Sequence, residues 1–303
     1  RVAVVTGASA GIGKCLARRL ARRGWEVVLA CRSPDKGGAA LQWLLDTSPG
    51  ARARLMKLDL ADLGSVRAFA AEFLASGLPL HALVCNAGIN HFSQDRAAPL
   101  TRDGVDLVYQ TNHVGHFLLV RLLQARLEAS APSRVLHVTS VMHRHARRSD
   151  FELIAQAERP EPFRGLYDAS KLAQILFSGE LSERLEGKGV ASHAFNPGGV
   201  ATEIYRDMGA WISLPKLFMQ TSEACAQSLE EAVVNVGLQT GPSLYLNGYR
   251  MAGALPLFEY ISPLPARARV VPSEPSRLAR DPALRREVWQ HTERLVAGGG
   301  GSM

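Results

Sequence analysis

Short runs of uninterrupted apolar residues alternate along this chain with longer stretches whose apolar positions recur at helical spacing. The first run, Val2-Ala3-Val4-Val5, is β-branched with no polar alternation, the pattern of a strand buried on both faces. Comparable runs predict strands near 26–30, 53–58, 82–85, 134–139, 191–195 and 243–246. From Lys14 to Arg23 the apolar residues follow a helical period, and Gly24 ends it. Phe117–Leu123 is apolar but far shorter than the roughly twenty residues a membrane helix needs, so it reads as helix core. Pro256–Pro275 is proline-rich and predicts an irregular connection, after which Arg280–Val296 reads as a final helix opened by Asp281-Pro282. Strand-helix alternation as far as Phe195 predicts an α/β fold, a seven-stranded, mostly parallel sheet with helices on both faces. There is no internal repeat. With 303 residues and 47% apolar content, residues 1–297 read as one doubly wound domain, and the glycine-rich stretch 298–303 as a flexible linker.

The junction after the first run carries the first chemical signal. Thr6-Gly7-Ala8-Ser9-Ala10-Gly11-Ile12-Gly13 stands between the predicted strand and the predicted helix. Glycines there let the backbone approach a pyrophosphate, and the helix N-terminus offers it unpaired N–H groups and a positive dipole. In that context the motif reads as a dinucleotide site on a Rossmann sheet. The second run ends at Cys31 and Arg32. A carboxylate there would accept the ribose hydroxyls of NAD, whereas an arginine suits the 2′-phosphate of NADP. Arg32, with Lys14 near the same phosphate region, favours NADP(H); Asp35, slightly further on, is the residue that could serve NAD instead.

The second signal is Tyr167 and Lys171, four apart in Leu166-Tyr167-Asp168-Ala169-Ser170-Lys171. On a helix such residues are surface neighbours. A phenol ordinarily ionises near pH 10, and a cation beside it favours the phenolate. Bringing it about three units closer to neutrality takes roughly 4 kcal/mol, which a lysine and an oxidised nicotinamide ring could supply together.

Further landmarks follow in order: Leu58-Asp59-Leu60; Asn86-Ala87-Gly88 after an apolar strand; Asn112 in Thr111-Asn112-His113-Val114-Gly115-His116-Phe117; Ser140 ending Val135–Thr139; and Asn196-Pro197-Gly198-Gly199-Val200-Ala201-Thr202. Taken with the glycine turn and the Tyr-Lys pair, they make the chain resemble the short-chain dehydrogenase/reductase family from residue 2 to about residue 295. The Leu29-Ala30-Cys31-Arg32, Asn112–Leu119, Ala131–Val135 and Ser170–Ala173 segments are most similar to its retinol-dehydrogenase-like, WW-domain-oxidoreductase-like and protochlorophyllide-reductase-like branch. Gly199 stands where protochlorophyllide reductases place a cysteine, which disfavours that activity.

The resemblance implies a catalytic set of Asn112, Ser140, Tyr167 and Lys171. It also implies a cofactor site made by Gly7, Ser9, Ala10, Gly11, Ile12, Gly13, Arg32, Asp59, Leu60, Asn86, Ala87, Gly88, Tyr167, Lys171, Pro197, Gly198, Val200 and Thr202. Tyr167 would be the proton donor or acceptor, Ser140 would steady the oxyanion, and Asn112 would hold a water relaying protons to Lys171. The expected activity is NADP(H)-linked interconversion of a lipophilic alcohol and its aldehyde or ketone. The alternative is a nucleotide-binding subunit or scaffold of a larger assembly with little turnover.

Composition changes this picture little. Net charge is +7 and the isoelectric point is near 9.5, but no nucleic-acid motif accompanies the arginines. Two basic clusters, Arg18-Arg19 with Arg22-Arg23 and His143–Arg148, read first as solvated surface; the second could meet an acidic substrate or lipid headgroups. Cys15, Cys31, Cys85 and Cys225 show no paired spacing and predict reduced thiols in a reducing intracellular compartment. His113 and His116 lack a third ligand, so no metal is expected. The chain opens on Arg1, directly on the first strand, so a targeting or anchoring segment could precede it. Substrate choice is expected in Val141–Phe163 and in the apolar segment Glu203–Ser222, which could be a lid, a peripheral membrane contact or core. A homodimer or docking into a larger complex remains open.

Overall fold

The computed structural model describes residues 1–90, 99–155, 166–201, 219–238, 241–248 and 270–298. Eight strands form one sheet: β1 Val2–Thr6, β2 Glu26–Cys31, β3 Arg52–Lys57, β4 Ala82–Cys85, β5 Ser133–Val138, β6 Val190–Asn196, β7 Tyr245–Asn247 and β8 Val271–Ser273. Their order is β3-β2-β1-β4-β5-β6-β7-β8. All neighbours are parallel except β7 and β8. The seven predicted strands are present within two residues of their expected ends. The eighth lies inside the supposedly irregular proline-rich stretch, at the sheet edge. Pro272 sits opposite Leu246 there, a position where a missing N–H costs no inner ladder bond.

The helices are α1 Gly11–Arg22, α2 Pro34–Thr47, α3 Leu63–Ala75, α4 Gly115–Ala129, α5 Arg148–Ala155, α6 Leu166–Arg184, α7 Ser222–Val234 and α8 Pro282–Gly298. Local chemistry sets several starts. Ser33 caps α2 by accepting from Lys36 N, with Pro34 in its first turn. Asp62 caps α3 through Gly64 N and Ser65 N, and Asp281 accepts from Ala283 N and Leu284 N at the head of α8. Gly298 is the last residue of α8 rather than the start of a linker; residues 299–303 lie outside the described residues.

Both sheet faces are covered: every strand from β1 to β7 except β3 is buried almost throughout on both sides, including the polar residues of β5 and β6. One core packs α3, α4, α6 and α8 around Phe69, Phe73, Phe117, Phe177 and Trp289. The other packs α1, α2 and α7. The α8 residue Trp289 seats its ring 4.9 Å from Phe117 and 5.6 Å from Phe177, bracing the helix that carries Tyr167 and Lys171.

The first basic cluster is internal wiring rather than solvated surface. Arg18 and Arg19 each reach Glu223 at 2.8 Å, Arg19 reaches Glu230 at 2.6 Å, and Arg23 pairs with Glu230. Arg22 donates to Thr47 O and Ser48 Oγ. Acidic residues more than 200 positions away in sequence thus bind α1 to α7. The second cluster is also engaged. His143 is buried, Arg144 donates to Glu274 O, and Arg148 pairs with Asp281 and Glu287. The described part of the supposed irregular segment after Ser140 is a single turn, Val141–Arg144, followed by α5. Residues 156–165 and 202–218, including Thr202 and nearly all of the apolar segment, lie outside the described residues. The four cysteines are unpaired, and three are buried. Among the described residues no helix is long and apolar enough to cross a membrane, and no histidine, cysteine or carboxylate cluster could hold a metal.

Candidate active site

The strand order reverses direction at β1 and β4, and the crevice beyond the C-terminal ends of such strands is where α/β sheets bind ligands. A cleft of about 540 Å³ opens there. At its floor Gly7 (φ +65°) and Gly11 (φ +54°) adopt the left-handed backbone that the turn requires. A Cβ on Gly13 would stand 2.6 Å from Gly7 O and 2.5 Å from Asn86 Nδ2, so only glycine lets α1 close onto the turn. The residue before α1, Ala10, has no side-chain acceptor for the first-turn N–H groups. Those donors face the cleft wall made by Ser9, Ala10, Gly11 and Ile12, a cradle that fits a pyrophosphate.

Thr6 locks this floor to β4. Its hydroxyl oxygen accepts from Asn86 N and Ala87 N at 2.9 Å, while Asn86 Nδ2 donates to Thr6 O at 2.8 Å. His116 lies behind it, fully buried. Its Nδ1 meets the carbonyl of Asn112 at 2.9 Å and must donate, so Nε2 accepts from Thr6 Oγ1 at 2.9 Å. Burial pulls this imidazole down to about 4, so it is neutral and holds one tautomer. At the far end of the cleft Lys14, Arg32 and Lys36 line the wall with Ser33, and Asp59 and Leu60 stand opposite. One Asp59 oxygen accepts from Ala61 N. The Lys14 ammonium rests 4.2 Å from the ring centroid of Trp43.

Asn112 owes its position to a π turn, Gln110–Val114, that interrupts the helix leading into α4; such insertions are common at functional sites. Its side chain accepts from Ile89 N at 2.8 Å and donates to Ile89 O and Ser170 Oγ, each at 3.0 Å. It is wholly buried and does not line the cleft. Ser140 lies two residues past β5 and caps the turn that follows, its Oγ accepts from Met142 N, and it faces the cleft with Tyr167. Beneath it, His143 donates from Nδ1 to Ser140 O at 2.7 Å and accepts at Nε2 from Ser276 N. His143 is therefore a neutral brace, held down to about 4 by burial, and not a surface cation.

Lys171 is buried, and its Nζ lies 5.6 Å from the Tyr167 ring centroid. The ammonium donates to Val138 O at 3.0 Å and to Gln174 Oε1 at 3.1 Å. Burial pulls Lys171 down to about 7. Gly88 leaves the space above it open: a Cβ there would sit 3.3 Å from Lys171 Nζ and 3.4 Å from Asn112 Oδ1.

Comparison with known proteins identifies the family. A family model described as short chain dehydrogenase matches residues 1–152. Retinol dehydrogenase 11 of Mus musculus is 40% identical over 79% of this chain and 75% of its own length. The chain is a short-chain dehydrogenase. WW domain-containing oxidoreductase of Danio rerio is 35% identical over 98% of this chain and 68% of its own. The crystal structure of an uncharacterized protein from Mycobacterium paratuberculosis is 31% identical with a TM-score of 0.73, covering 98% of this chain and 93% of that one.

In this short-chain dehydrogenase nearly all the residues expected to hold the cofactor line a single cleft: Gly7, Ser9, Ala10, Gly11, Ile12, Arg32, Asp59, Leu60, Asn86, Ala87, Gly88, Tyr167, Lys171, Pro197, Gly198 and Val200. Among the described residues Gly13 is the exception, lying under the turn as a packing residue. A larger cavity of about 800 Å³ lies between α6 and the β7–β8 edge and contains none of them. Sequence reasoning missed Lys36 and Ser33, although a serine cap followed by proline was a legible helix start that would have turned Lys36 towards the cleft. It also missed Thr6, His116, His143 and Gln174, whose roles arise from contacts between distant elements.

Proposed function

We propose that this short-chain dehydrogenase interconverts a lipophilic alcohol and its aldehyde or ketone with NADP(H). Charge carries the cofactor reading. Lys14, Arg32 and Lys36 line one end of the cleft, while Glu26, Asp35 and Asp46, the carboxylates of β2 and α2, do not. Three cations suit a ribose phosphate, and a carboxylate would be needed to prefer the bare hydroxyls. The likeness to a retinol dehydrogenase supports an apolar substrate, as do Ile89, Val138 and Val200 along the cleft.

A bound nicotinamide supplies or accepts the hydride. The protein supplies the proton and the alignment. In reduction the Tyr167 hydroxyl donates to the substrate oxygen; in oxidation its phenolate removes the alcohol proton. Lys171 keeps a positive charge beside that phenol, which favours its ionised form. Ser140 Oγ, steered by Met142 N–H, donates to the same substrate oxygen and stabilises its developing charge. Asn112 holds the Ile89 backbone and Ser170 in place, and so keeps the loop after β4 against α6.

The test is turnover of retinal and medium-chain aldehydes, followed by NADPH absorbance, in the wild type and in Tyr167→Phe. Losing one proton donor should lower kcat at least about a hundredfold. Equal rates in the two proteins would refute the mechanism. A wild type that binds NADPH yet turns over nothing in the panel would favour the scaffold reading.

A further inference from the structure

Lys171 has no carboxylate partner among the described residues, so its buried ammonium depends on neutral acceptors. Val138 O, a main-chain carbonyl, is one. The other is Gln174 Oε1, one turn further along α6 and wholly buried. The Gln174 amide is itself fixed: its Nε2 donates to Asn112 O at 2.8 Å. These two contacts admit one orientation only. A flipped amide would put NH2 against an ammonium and oxygen against a carbonyl. The Asn112 carbonyl lies inside the π turn and meets two side-chain donors, His116 Nδ1 and Gln174 Nε2.

We propose that Gln174 is a positioning residue for the reaction: anchored on the Asn112 carbonyl, it holds the Lys171 ammonium charged and aimed at Tyr167. The site expected to hold a relaying water is thus bridged, on the protein side, by an amide. The inference rests on the oxidoreductase reading above. The titratable groups facing Lys171 are few. Tyr167 stands on its own helix, and His116, on α4, is neutral near working pH. Among the described residues no other charge acts on the lysine, and burial alone pulls it down. The balance between burial and the two acceptors therefore decides how much charge Lys171 carries.

The experiment compares wild type with Gln174→Leu and Gln174→Glu. Alcohol oxidation with NADP+ and all-trans-retinol is measured across pH, and the 13Cε signal of Lys171, assigned with Lys171→Met, is titrated in cofactor-free protein. Removing the acceptor should move the acid limb of kcat up by about one pH unit, equivalent to about tenfold at a fixed pH on that limb, with KM within about twofold. The lysine midpoint should fall by a similar amount in the free protein. Gln174→Glu keeps an acceptor on Lys171 but gives up the donor to Asn112 O, so the lysine midpoint should rise, while the limb, which senses a cancelled charge, should not fall with it. A melting temperature that drops while limb and midpoint stay put overturns the proposal and leaves Gln174 as packing. If Gln174→Leu does not fold, an unmoved lysine midpoint in Gln174→Glu overturns it equally. Should the wild type itself show no turnover, the oxidoreductase reading fails, and the 13C titration still decides whether Gln174 governs the lysine.

Discussion

Replacing Gly13 by alanine tests how the turn, the strand behind it and the nucleotide floor depend on one another. The added Cβ would lie 2.6 Å from Gly7 O and 2.5 Å from Asn86 Nδ2, against an ordinary contact of at least 3.4 Å. The overlaps are 3.4 − 2.6 = 0.8 Å on a backbone atom and 3.4 − 2.5 = 0.9 Å on a short, hydrogen-bonded side chain. Neither yields freely. Gly7 O belongs to a turn fixed by Gly7 N donating to Ala30 O at 2.9 Å, and Asn86 Nδ2 is bound to Thr6 O at 2.8 Å. Overpacking of this kind costs about 1–3 kcal/mol, and losing the Asn86 bond adds about 1 kcal/mol. At about 2–4 °C per kcal/mol for a domain near this size, the melting temperature should fall by about 4–16 °C. Helix α1 must also back away from the turn, so its N-terminal donors retreat from the pyrophosphate and the Kd for NADPH should rise at least about tenfold, or about 1.4 kcal/mol. Gly38→Ala is the control. It sits in α2 with nothing within 4 Å of its Cβ, so it should stabilise by up to about 1 kcal/mol and leave NADPH binding alone. Thermal melts by circular dichroism and a fluorescence titration with NADPH read both quantities. A Gly13→Ala protein that melts and binds like wild type would refute the account of the floor.

Arg32→Asp should weaken NADPH by at least about tenfold while leaving NADH within about threefold, since it removes a phosphate partner and adds a hydroxyl acceptor; equal losses in paired titrations would overturn the NADP(H) reading. Glu230, only 5% exposed, takes both Arg19 and Arg23, so Glu230→Ala should cost about 1–3 kcal/mol in urea unfolding, with Glu26→Ala at the exposed Arg54 pair costing under about 1 kcal/mol. Equal small effects would return the α1 arginines to the solvated surface. Acid should destabilise the fold steeply. Burial holds His113, His116 and His143 down to about 3, 4 and 4. The unfolded chain takes up protons near pH 6.5, so the stability from these neutral imidazoles is complete above that pH and drains as pH falls towards about 4. Asp168, raised to about 6 by burial, protonates first in the folded state and opposes one of the three. These four groups net to about two, so at least about 3 kcal/mol is lost between pH 6 and pH 5, and buried His137, held lower still, adds to it; urea curves that coincide at those two pH values would contradict it.

What could be read from the chain was whatever depends on neighbours in sequence. The run Val2–Val5, the glycine turn and the helix after it form one continuous stretch, and local propensity and backbone geometry determine all three. Tyr167 and Lys171 are likewise separated by a single turn. Residues whose meaning lies in remote contacts stayed hidden. The arginines of α1 looked like solvated surface because Glu223 and Glu230 arrive from the other end of the fold. His143 looked like part of a basic patch because nothing nearby announces that Ser276 will occupy its second nitrogen. β8 was invisible for a different reason: a three-residue edge strand containing proline carries no hydrophobic period, and only pairing with β7 makes it a strand. Gln174 combines both difficulties. An amide has no acid-base chemistry to attract notice, and it joins the site through a carbonyl 62 residues earlier in the chain, that of Asn112. The Asn112 carbonyl, inside the Gln110–Val114 turn, is therefore the point on which the lysine's surroundings depend. It accepts from the amide and orients it, and the amide oxygen then offsets part of the cost of burying the charge.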